Sequence, residues 1–184
     1  MNKKRCSWCE GDPIYEAYHD SEWGVPIKDD PSLFEYLILE GFQAGLSWIT
    51  ILKKRPAFRK AFDNFDCRIM AQYKEEKLIS LAQDKGIVRN KLKIKSAVQN
   101  ACAFIKVQEE FGSFSQFYWA YTDSKPIKNK MRKNKDIPPF TELSRKISGD
   151  LKKRGFNFVG PTIVYAFMQA TGMVNDHITT CFKY

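Results

Sequence analysis

The sequence lacks the two kinds of hydrophobic segment that export or membrane insertion would require. Its charged start, residues 1–5, is followed by Cys6-Ser7-Trp8-Cys9-Glu10 rather than by an apolar run, so the pattern predicts no signal peptide. No stretch approaches the roughly 18 apolar residues that a membrane-spanning helix needs. We therefore expect a cytoplasmic protein that has no membrane partner.

Cysteine is sparse and odd in number, and histidine is sparser still. Five cysteines in a chain without a predicted export signal disfavour a disulfide framework and favour metal ligation and buried thiols. The two histidines each have a cysteine close by, in the spacings Cys6-x12-His19 and His177-x3-Cys181. Two cysteines and two histidines make a complete tetrahedral zinc set, and a site with four protein ligands is structural.

Such a zinc site would tie the amino and carboxyl ends of the chain together. Two alternatives remain open on spacing alone. Cys9 could replace Cys6 as a ligand, or both histidines could be ordinary packed or surface residues.

The bulk composition predicts a folded, basic protein. With 184 residues, 43% of them hydrophobic and 14% aromatic, the chain is large enough for one domain or for two intimately packed lobes around a real core. Its formal net charge of +9 favours a polyanionic partner, because Lys and Arg neutralise phosphates and release counterions. The alternative is a basic protein with no such partner.

Helical periodicity predicts an all-α fold, since no strand-like alternation of any length and no internal repeat appears. The first helical pattern covers residues 31–62, with a break at residues 41–45 that is bounded by Gly41 and Gly45. Further helices are predicted over residues 75–82 and 87–104. The second of these is expected to carry three lysines on a solvent-facing side: Lys91, Lys93 and Lys95.

The second half of the chain predicts an aromatic core segment, a loop and a helical hairpin. Residues 111–121 are rich in aromatics, and residues 122–140 are polar and basic, which indicates a long, mobile surface loop. Two helices follow, over residues 141–154 and 161–171, and a turn at residues 155–160 joins them.

This hairpin could hold a phosphate group. Its second helix begins at Gly160-Pro161-Thr162, where backbone N–H groups point outward, and Lys152, Lys153 and Arg154 lie nearby. The alternative is a plain helical hairpin buried in the core.

Aromatic residues collect around one carboxylate in the first half of the sequence. Aromatic faces stack on nucleobases, and a carboxylate such as Glu40 can accept hydrogen bonds from an exocyclic amine or attract a cationic ring. The residues alone favour the plainer interpretation, in which the rings fill the core and Glu40 is solvated. The aromatic residues concerned are Trp8, Tyr15, Tyr18, Trp23 and Trp48.

Several motifs together resemble one family, the bacterial 3-methyladenine DNA glycosylases I of the helix-hairpin-helix superfamily. The resemblance covers nearly the whole chain in the family's order, apart from the loop at residues 122–140. The motifs that carry it are 12–15 (DPIY), 17–26 (AYHDSEWGVP), 39–50 (LEGFQAGLSWIT), 86–89 (GIVR), 151–160 (LKKRGFNFVG) and 174–177 (VNDH).

The resemblance implies a function and a set of site residues. The implied activity is monofunctional hydrolysis of the N-glycosidic bond of 3-methyladenine in double-stranded DNA, without lyase activity, by a monomer that releases the free base. Glu40 takes the position of the base-recognising carboxylate, Trp48 that of the stacking aromatic and Tyr18 that of a hydrogen-bonding partner. The remaining pocket walls would be Tyr15, Trp8 and Trp23, and the ligands of one structural zinc would be Cys6, His19, His177 and Cys181.

The resemblance also implies DNA contacts. Residues 42–46 match the loop that fills the gap left by a flipped nucleotide, although Phe42 stands where a polar residue is expected. Asp176, next to His177, is the nearest candidate for the Asp that helix-hairpin-helix glycosylases generally carry after the hairpin, but a capping role or support of the zinc site is the favoured interpretation. The implied wedge and backbone contacts are Phe42, Gln43, Gly45, Leu46, Gly155, Gly160, Thr162 and Lys153, and Lys53, Lys54 and Arg55 are further phosphate candidates on charge alone.

Overall fold

A computed structural model describes residues 3–184, so the first two residues of the charged start lie outside the described part. The described chain is mostly helical, which confirms the predicted fold class in its coarse form. No helix within residues 3–184 is long and apolar enough to cross a membrane. The helices are α1 (Pro13–Ser21), α2 (Asp30–Gln43), α3 (Trp48–Ala61), α4 (Cys67–Met70), α5 (Glu75–Gln83), α6 (Lys91–Phe111), α7 (Phe114–Trp119), α8 (Glu142–Lys153) and α9 (Pro161–Ala170).

Helix α2 is the centre of the fold. The Asp29 side chain accepts a hydrogen bond from the Ser32 N–H and so caps its first turn. Apolar residues surround most of the helix, which packs against α3, α6, α7 and α9. The predicted break at Gly41 is wrong, because α2 continues through Gly41 to Gln43. Glycine there allows close packing, since a Cβ atom would lie 3.5 Å from that of Phe158.

Helix α6 begins later and ends later than predicted. Asn90 caps it by accepting a hydrogen bond from the Lys93 N–H, and Gly112, with φ of 83°, follows its last residue, Phe111. The expectation that Lys93 faces solvent is wrong. Lys93 is only 6% exposed, and its ammonium donates to the carbonyl oxygens of Phe42 at 2.9 Å and Ala44 at 2.5 Å. These carbonyls lie at the C-terminal end of α2, where a cation is favoured.

Helices α8 and α9 form the predicted hairpin. Thr141 caps α8, and Pro161 is the first residue of α9. The turn between them is held by Asn100 of α6, which accepts from the Asn157 N–H at 2.8 Å and donates to the Asn157 carbonyl at 3.0 Å. The turn is therefore fixed against the rest of the molecule by a pair of hydrogen bonds.

Two short strands are the exception to the all-α prediction. Strand β1 (Ile127–Lys128) pairs in parallel with β2 (Val174–Asn175). The pairing continues in a hydrogen bond from the Asn129 N–H to the Asn175 carbonyl at 3.1 Å. Strands of two residues are too short to produce an alternating pattern in the sequence.

The basic segment at residues 122–140 is exposed but tethered, so the expectation of a mobile loop finds no support in its contacts. Besides the strand pairing, the Met131 carbonyl accepts from the Thr179 N–H at 2.8 Å. The Asn134 amide nitrogen lies 2.7 Å from the Ser7 hydroxyl, and residues Asn134–Asp136 form a turn of 3-10 helix. The segment thus joins the amino-terminal and carboxyl-terminal parts of the chain.

Candidate base-binding cavity and Cys/His cluster

The residues of the predicted pocket meet in one cavity. Its volume is about 450 Å³, and it lies between α1, α2, the start of α3 and one face of α9. All six residues that the resemblance implies for the pocket line it, together with Gln43: Trp8, Tyr15, Tyr18, Trp23, Glu40 and Trp48.

Aromatic rings form the walls of this cavity and pack edge to face. The Trp8 ring centroid lies 4.8 Å from that of Tyr15 and 4.9 Å from that of Trp23, and Tyr18 lies 5.7 Å from Trp48. Such offset and edge-on pairs are the arrangements that the ring quadrupoles favour. The indole nitrogen of Trp48 is buried and has no hydrogen-bond partner among the described residues. The walls are thus packed against one another, with one indole N–H left without a partner in the described part of the chain.

The carboxyl group of Glu40, the one carboxyl that lines the cavity, lies in an apolar environment. Glu40 lies in the penultimate turn of α2, is 3% exposed and makes no hydrogen bond with another described residue. Burial raises the pKa of Glu40 to about 8, so the empty cavity holds the neutral acid at neutral pH. The pKa of Tyr15 is raised to about 12, first by burial and then by the nearby Glu40. A cation in the cavity would favour the ionised carboxylate and would be held by it.

Besides Gln43, which was expected only as a DNA contact, six more lining residues were missed by the sequence-based pocket. Two come from the basic segment, and four come from α9, where their spacing puts them on one helical face. The periodicity of α9 could have indicated that face, but no local signal says which cavity it covers. The residues are Asn134, Ile137, Thr162, Ile163, Ala166 and Gln169; of these, Thr162 was expected only as a backbone contact to DNA.

The predicted wedge loop is present, but Phe42 is not part of its surface. Phe42 is 1% exposed and packs edge-on against Phe58 and Phe62, so its assignment as a DNA contact is wrong for this conformation. It faces the core because α2 is still helical there. Beyond the helix, Gly45 has φ of 82°, and Leu46 is 39% exposed at the tip of the loop.

The loop is held from inside by α2 itself. The Gln43 amide donates to the Leu46 carbonyl at 2.5 Å, and the Leu46 N–H donates to the Gln43 carbonyl at 2.6 Å. Together with the ammonium of Lys93 on the Ala44 carbonyl, these bonds close a tight turn. Leu46 is therefore the apolar side chain that the turn presents to solvent.

A second polar cluster lies beside the cavity. The ligand atoms of Cys6, His19 and Cys181 all lie within 4.8 Å of one another, and all three residues are buried. The Cys181 sulfur is 3.4 Å from His19 Nε2. Cys9 is also buried, but its thiol donates to the Cys6 carbonyl at 3.1 Å and does not join the group.

Both imidazoles are oriented by a neighbouring oxygen at Nδ1, although His177 is not among the three residues whose ligand atoms converge. His19 Nδ1 lies 2.9 Å from the Asp20 carboxylate, and His177 Nδ1 lies 2.9 Å from the Asn175 side-chain oxygen. An acceptor beside each Nδ1 favours the proton on that nitrogen, so each Nε2 is an acceptor or a potential metal ligand. His19 Nε2 accepts from the Cys6 N–H at 3.4 Å and lies 3.4 Å from the Cys181 sulfur. His177 Nε2 is buried without a hydrogen-bond partner among the described residues. Burial lowers the pKa of His19 and lowers that of His177 to about 4, so both rings are neutral.

Two tryptophans separate the cluster from the cavity. The Trp8 ring lies 5.4 Å from that of His19, and the Trp23 ring lies 4.6 Å from that of His177, while both tryptophans also line the cavity. Trp8 and Trp23 thus contact the two histidines on one side and line the cavity on the other, so the positions of the histidines affect this wall of the cavity.

The hairpin presents its predicted contact residues at the surface. Gly155, with φ of 90°, and Gly160 have open space at their Cβ positions, and Thr162 is exposed at the start of α9. The Lys153 side chain is 82% exposed.

The other basic candidates are already engaged. The Arg55 guanidinium contacts the carboxylates of Glu22 and Glu35, and the Lys54 ammonium donates to the carbonyls of Lys85 and Gly86. These two side chains are thus unsuited to bind phosphate in this conformation. Lys53 pairs with Asp12 and keeps a 52% exposed side chain.

Together, the helical fold and the cavity define a helical protein whose main aromatic cavity contains one buried carboxyl group. Comparisons with known proteins agree with this description. The family described as methyladenine glycosylase matches residues 8–184. The DNA-3-methyladenine glycosylase 1 of Escherichia coli is 46% identical over 181 residues, which cover 98% of this chain and 97% of that protein.

Solved structures show the same likeness. A crystal structure of a 3-methyladenine DNA glycosylase I has a TM-score of 0.95 and 48% identity, covering 97% of this chain and 98% of the other. The Staphylococcus aureus 3-methyladenine DNA glycosylase I, solved to explain 3-methyladenine recognition, has a TM-score of 0.94 and 36% identity, covering 97% of this chain and 95% of the other. The chain belongs to the methyladenine glycosylase family.

Proposed function

We propose that this protein is a DNA-3-methyladenine glycosylase, which removes 3-methyladenine from alkylated DNA in base-excision repair. The observation that carries the proposal is the buried carboxyl of Glu40, unpaired within a cavity whose walls are aromatic. Family membership and relatives of that name over nearly the whole chain support it.

The chemistry follows from the charge of the substrate. 3-Methyladenine in DNA carries a positive charge on its ring, so its glycosidic bond is already weak and recognition matters more than chemical force. The base is extruded from the duplex and stacks in the aromatic cavity, where Glu40 faces the cationic ring. The bond between the base and the sugar carbon breaks with its electron pair remaining on the base. Water then bonds to that carbon and loses a proton, which leaves an abasic site and free 3-methyladenine.

Tyr18 and Trp48 are the partners of Glu40 in this proposal. Trp48 supplies a stacking face and an unpaired indole N–H, and Tyr18 supplies a phenol. Burial raises the pKa of Tyr18 far above the physiological range, so its hydroxyl stays neutral and able to donate. Tyr15, Trp8 and Trp23 complete the walls, and the reaction is monofunctional, without a lyase step.

The DNA is double-stranded and is held by its backbone. Gly160 and the exposed Thr162 lie at the N-terminus of α9, where N–H groups have no partner within the helix, and the Lys153 side chain is 82% exposed in the same hairpin, which suits a phosphate. Gly155 offers an open backbone surface, while its own N–H donates to the Lys152 carbonyl at 3.0 Å. The exposed Leu46, supported by Gln43 and Gly45, is the wedge that fills the gap after base extrusion. Residues 1–184 act as one catalytic unit of two packed helical lobes, and the protein works as a monomer.

The Cys/His cluster holds one structural zinc ion. Three of the predicted ligands, Cys6, His19 and Cys181, converge, and His177 Nε2 is a buried acceptor without a partner among the described residues. Two thiols and two neutral imidazoles would make a complete tetrahedral set. The ligands are Cys6, His19, His177 and Cys181. When bound, zinc supplies cohesion between the ends of the chain and no step of the reaction.

The test is base release from methylated duplex DNA by the purified protein, with chromatographic identification of the free base. Release of 3-methyladenine but not of 7-methylguanine is the expected result. A folded, zinc-loaded sample that releases no base would withdraw the enzyme and leave a DNA-binding scaffold. Metal content, measured on the same sample by elemental analysis, is expected to be one zinc per chain, and a folded, metal-free protein would contradict the structural site.

A further inference from the structure

Gln169 is a polar residue of the cavity to which neither the motifs nor the mechanism gives a role. It lies in the last turn of α9, on the same face as Thr162, Ile163 and Ala166, and it lines the cavity with them. The other groups on this face offer methyl groups and one hydroxyl. Gln169 is thus the one amide that α9 contributes to the cavity.

The orientation of this amide is imposed by Asp176. The Gln169 Nε2 donates to the Asp176 carboxylate at 2.7 Å. Two more donors, the Tyr165 hydroxyl and the Asn129 amide, reach the same carboxylate, each at 2.7 Å. Asp176 is completely buried, and a carboxylate with three donors can only accept. The NH₂ end of Gln169 must therefore point at Asp176, which leaves the carbonyl oxygen as the free end.

Gln43 is oriented in the same way within the wedge loop, since its amide nitrogen donates to the Leu46 carbonyl at 2.5 Å, but Asn134 and Glu40 have no imposed orientation. Asn134 bonds to the Ser7 hydroxyl, which can donate or accept, so its amide can take either orientation. The neutral carboxyl of Glu40 can also do both. The Gln169 oxygen, which accepts no hydrogen bond from any described residue, is thus an acceptor of fixed polarity.

We propose that Gln169 is a specificity-determining residue, whose side-chain carbonyl accepts a hydrogen bond from the exocyclic amine of the bound base, and that Asp176 is the positioning residue that fixes its orientation. This inference rests on the proposed function. It gives Asp176 a role at the cavity, since its carboxylate accepts hydrogen bonds from Asn129, Tyr165 and Gln169 and from none of the four proposed zinc ligands.

The consequence is discrimination between the two 3-methylated purines. 3-Methyladenine has an amine at its six-position, which donates to the Gln169 oxygen. 3-Methylguanine has a carbonyl there, so two acceptors would face each other unpaired. Sites built to hydrogen-bond a substrate group reject analogues that leave the site's own polar group unpaired. The cavity should therefore favour 3-methyladenine over 3-methylguanine through this hydrogen bond, independently of the size of either base.

The experiment uses the full-length, zinc-loaded protein on methylated duplex DNA that contains both lesions, with chromatographic measurement of the two free bases in the same reaction. Gln169→Met keeps the length of the side chain and removes the acceptor. We expect its release of 3-methyladenine to slow about three- to tenfold, the effect of one hydrogen bond, while release of 3-methylguanine is unchanged or faster. A general disturbance of the cavity would slow both alike and would overturn the proposal.

Asp176→Asn tests the positioning role, because an asparagine can donate and so allows the Gln169 amide to turn over. The ratio of the two released bases should fall in this variant too, although residue 176 does not touch the base. Tyr165→Phe is the matched control, since it removes one donor to Asp176 but leaves the carboxylate an acceptor. Its melting temperature should fall and its base ratio should stay at the wild-type value.

The outcomes separate this inference from the proposed function. A wild-type protein that releases no base overturns both. A wild-type protein that releases 3-methyladenine, with an unchanged base ratio in Gln169→Met, overturns the inference alone. Where Asp176→Asn does not fold, as judged by its melting curve, Gln169→Met decides the question.

Discussion

The Cys/His cluster and the cavity lie on opposite sides of the Trp8–Trp23 pair, and both bury polar groups without protein partners. In the cluster these groups converge, with the ligand atoms of Cys6, His19 and Cys181 within 4.8 Å of one another. In the cavity they are spread around a space of about 450 Å³. Convergence suits a single ion, whereas separation suits a planar molecule that several groups contact along its edge.

The two regions also differ in how their polar groups are supported. At the cluster, a side-chain oxygen of Asp20 bonds to Nδ1 of His19. A side-chain oxygen of Asn175 bonds to Nδ1 of the neighbouring His177. In the cavity, Glu40 has no such support, and burial alone sets its pKa. A group held by neighbours keeps its geometry, whereas an unsupported buried group responds strongly to what enters the cavity. The cluster should therefore control stability, and the cavity should control activity.

The largest effect is expected from breaking the cluster. Cys181→Ser removes one thiol ligand and should lower the free energy of unfolding by about 4 kcal/mol or more, because metal binding is part of folding. The measurement is thermal unfolding together with zinc content. Residual folded protein should keep its preference for 3-methyladenine. The matched control is Cys102→Ser, at an exposed thiol outside the cluster, and it should retain both zinc and melting temperature. A stable, active, zinc-free Cys181→Ser protein would contradict the structural role.

A substitution in the cavity should instead lower activity and leave zinc content unchanged. Glu40→Gln keeps the size of the side chain and removes its ability to ionise against a cationic base. Because a hydrogen bond to a charged group contributes about 1.5–3 kcal/mol, kcat/KM for 3-methyladenine release should fall about 10- to 100-fold. Zinc content and duplex binding should not change. Glu76→Gln, at an exposed position in α5, is the control, and equal activity of the two variants would remove Glu40 from the site.

The border between the two regions can be tested at Gly24. Its φ is 76°, and a Cβ atom there would lie 2.9 Å from His177 Cε1. Gly24→Ala should therefore cost about 2 kcal/mol of unfolding free energy, from backbone strain and displacement of His177, and should weaken zinc retention against a chelator. Gly149→Ala, in α8 with open space around it, should instead stabilise the protein by about 0.5–1 kcal/mol. Similar behaviour of the two variants would mean that the close approach to His177 has no energetic consequence.

The smallest effect concerns the pH dependence of stability at Glu40. Its pKa is raised from 4.5 to about 8 in the folded protein, so between these values the folded state holds a proton that the unfolded state has lost. Stability must then fall as pH rises from 4.5 to 8 and level off above 8. Tyr15 and Tyr18, which face Glu40, stay neutral over this range. Glu40→Gln should be more stable than wild type by at least about 1 kcal/mol at pH 8 and equal to it at pH 4.5, as measured by denaturant unfolding. A constant difference across this range would refute burial as the cause.

Much of the local structure could be predicted because its signals are local. The hairpin begins where Thr141 caps α8, and its second helix begins at Pro161, as capping and the fixed φ of proline indicate. The motif around Glu40 placed this carboxylate among the right aromatics. Spacing alone left Cys9 and Cys6 as rival ligands, and the hydrogen bond from the Cys9 thiol to the Cys6 carbonyl separates them.

The sequence by itself determined the helical class, the pairing of each histidine with a nearby cysteine and the family to which the chain belongs, because caps, periodicity and motif residues act over a few positions. Only the tertiary structure decided which helix covers which face. Lys93 is buried because its ammonium donates to carbonyls at the end of α2, about fifty positions away in the sequence. Phe42 faces the core because α2 continues as a helix through Gly41. The orientation of the Gln169 amide depends on its hydrogen bond to Asp176. Periodicity cannot identify such a partner, because it describes one helix at a time.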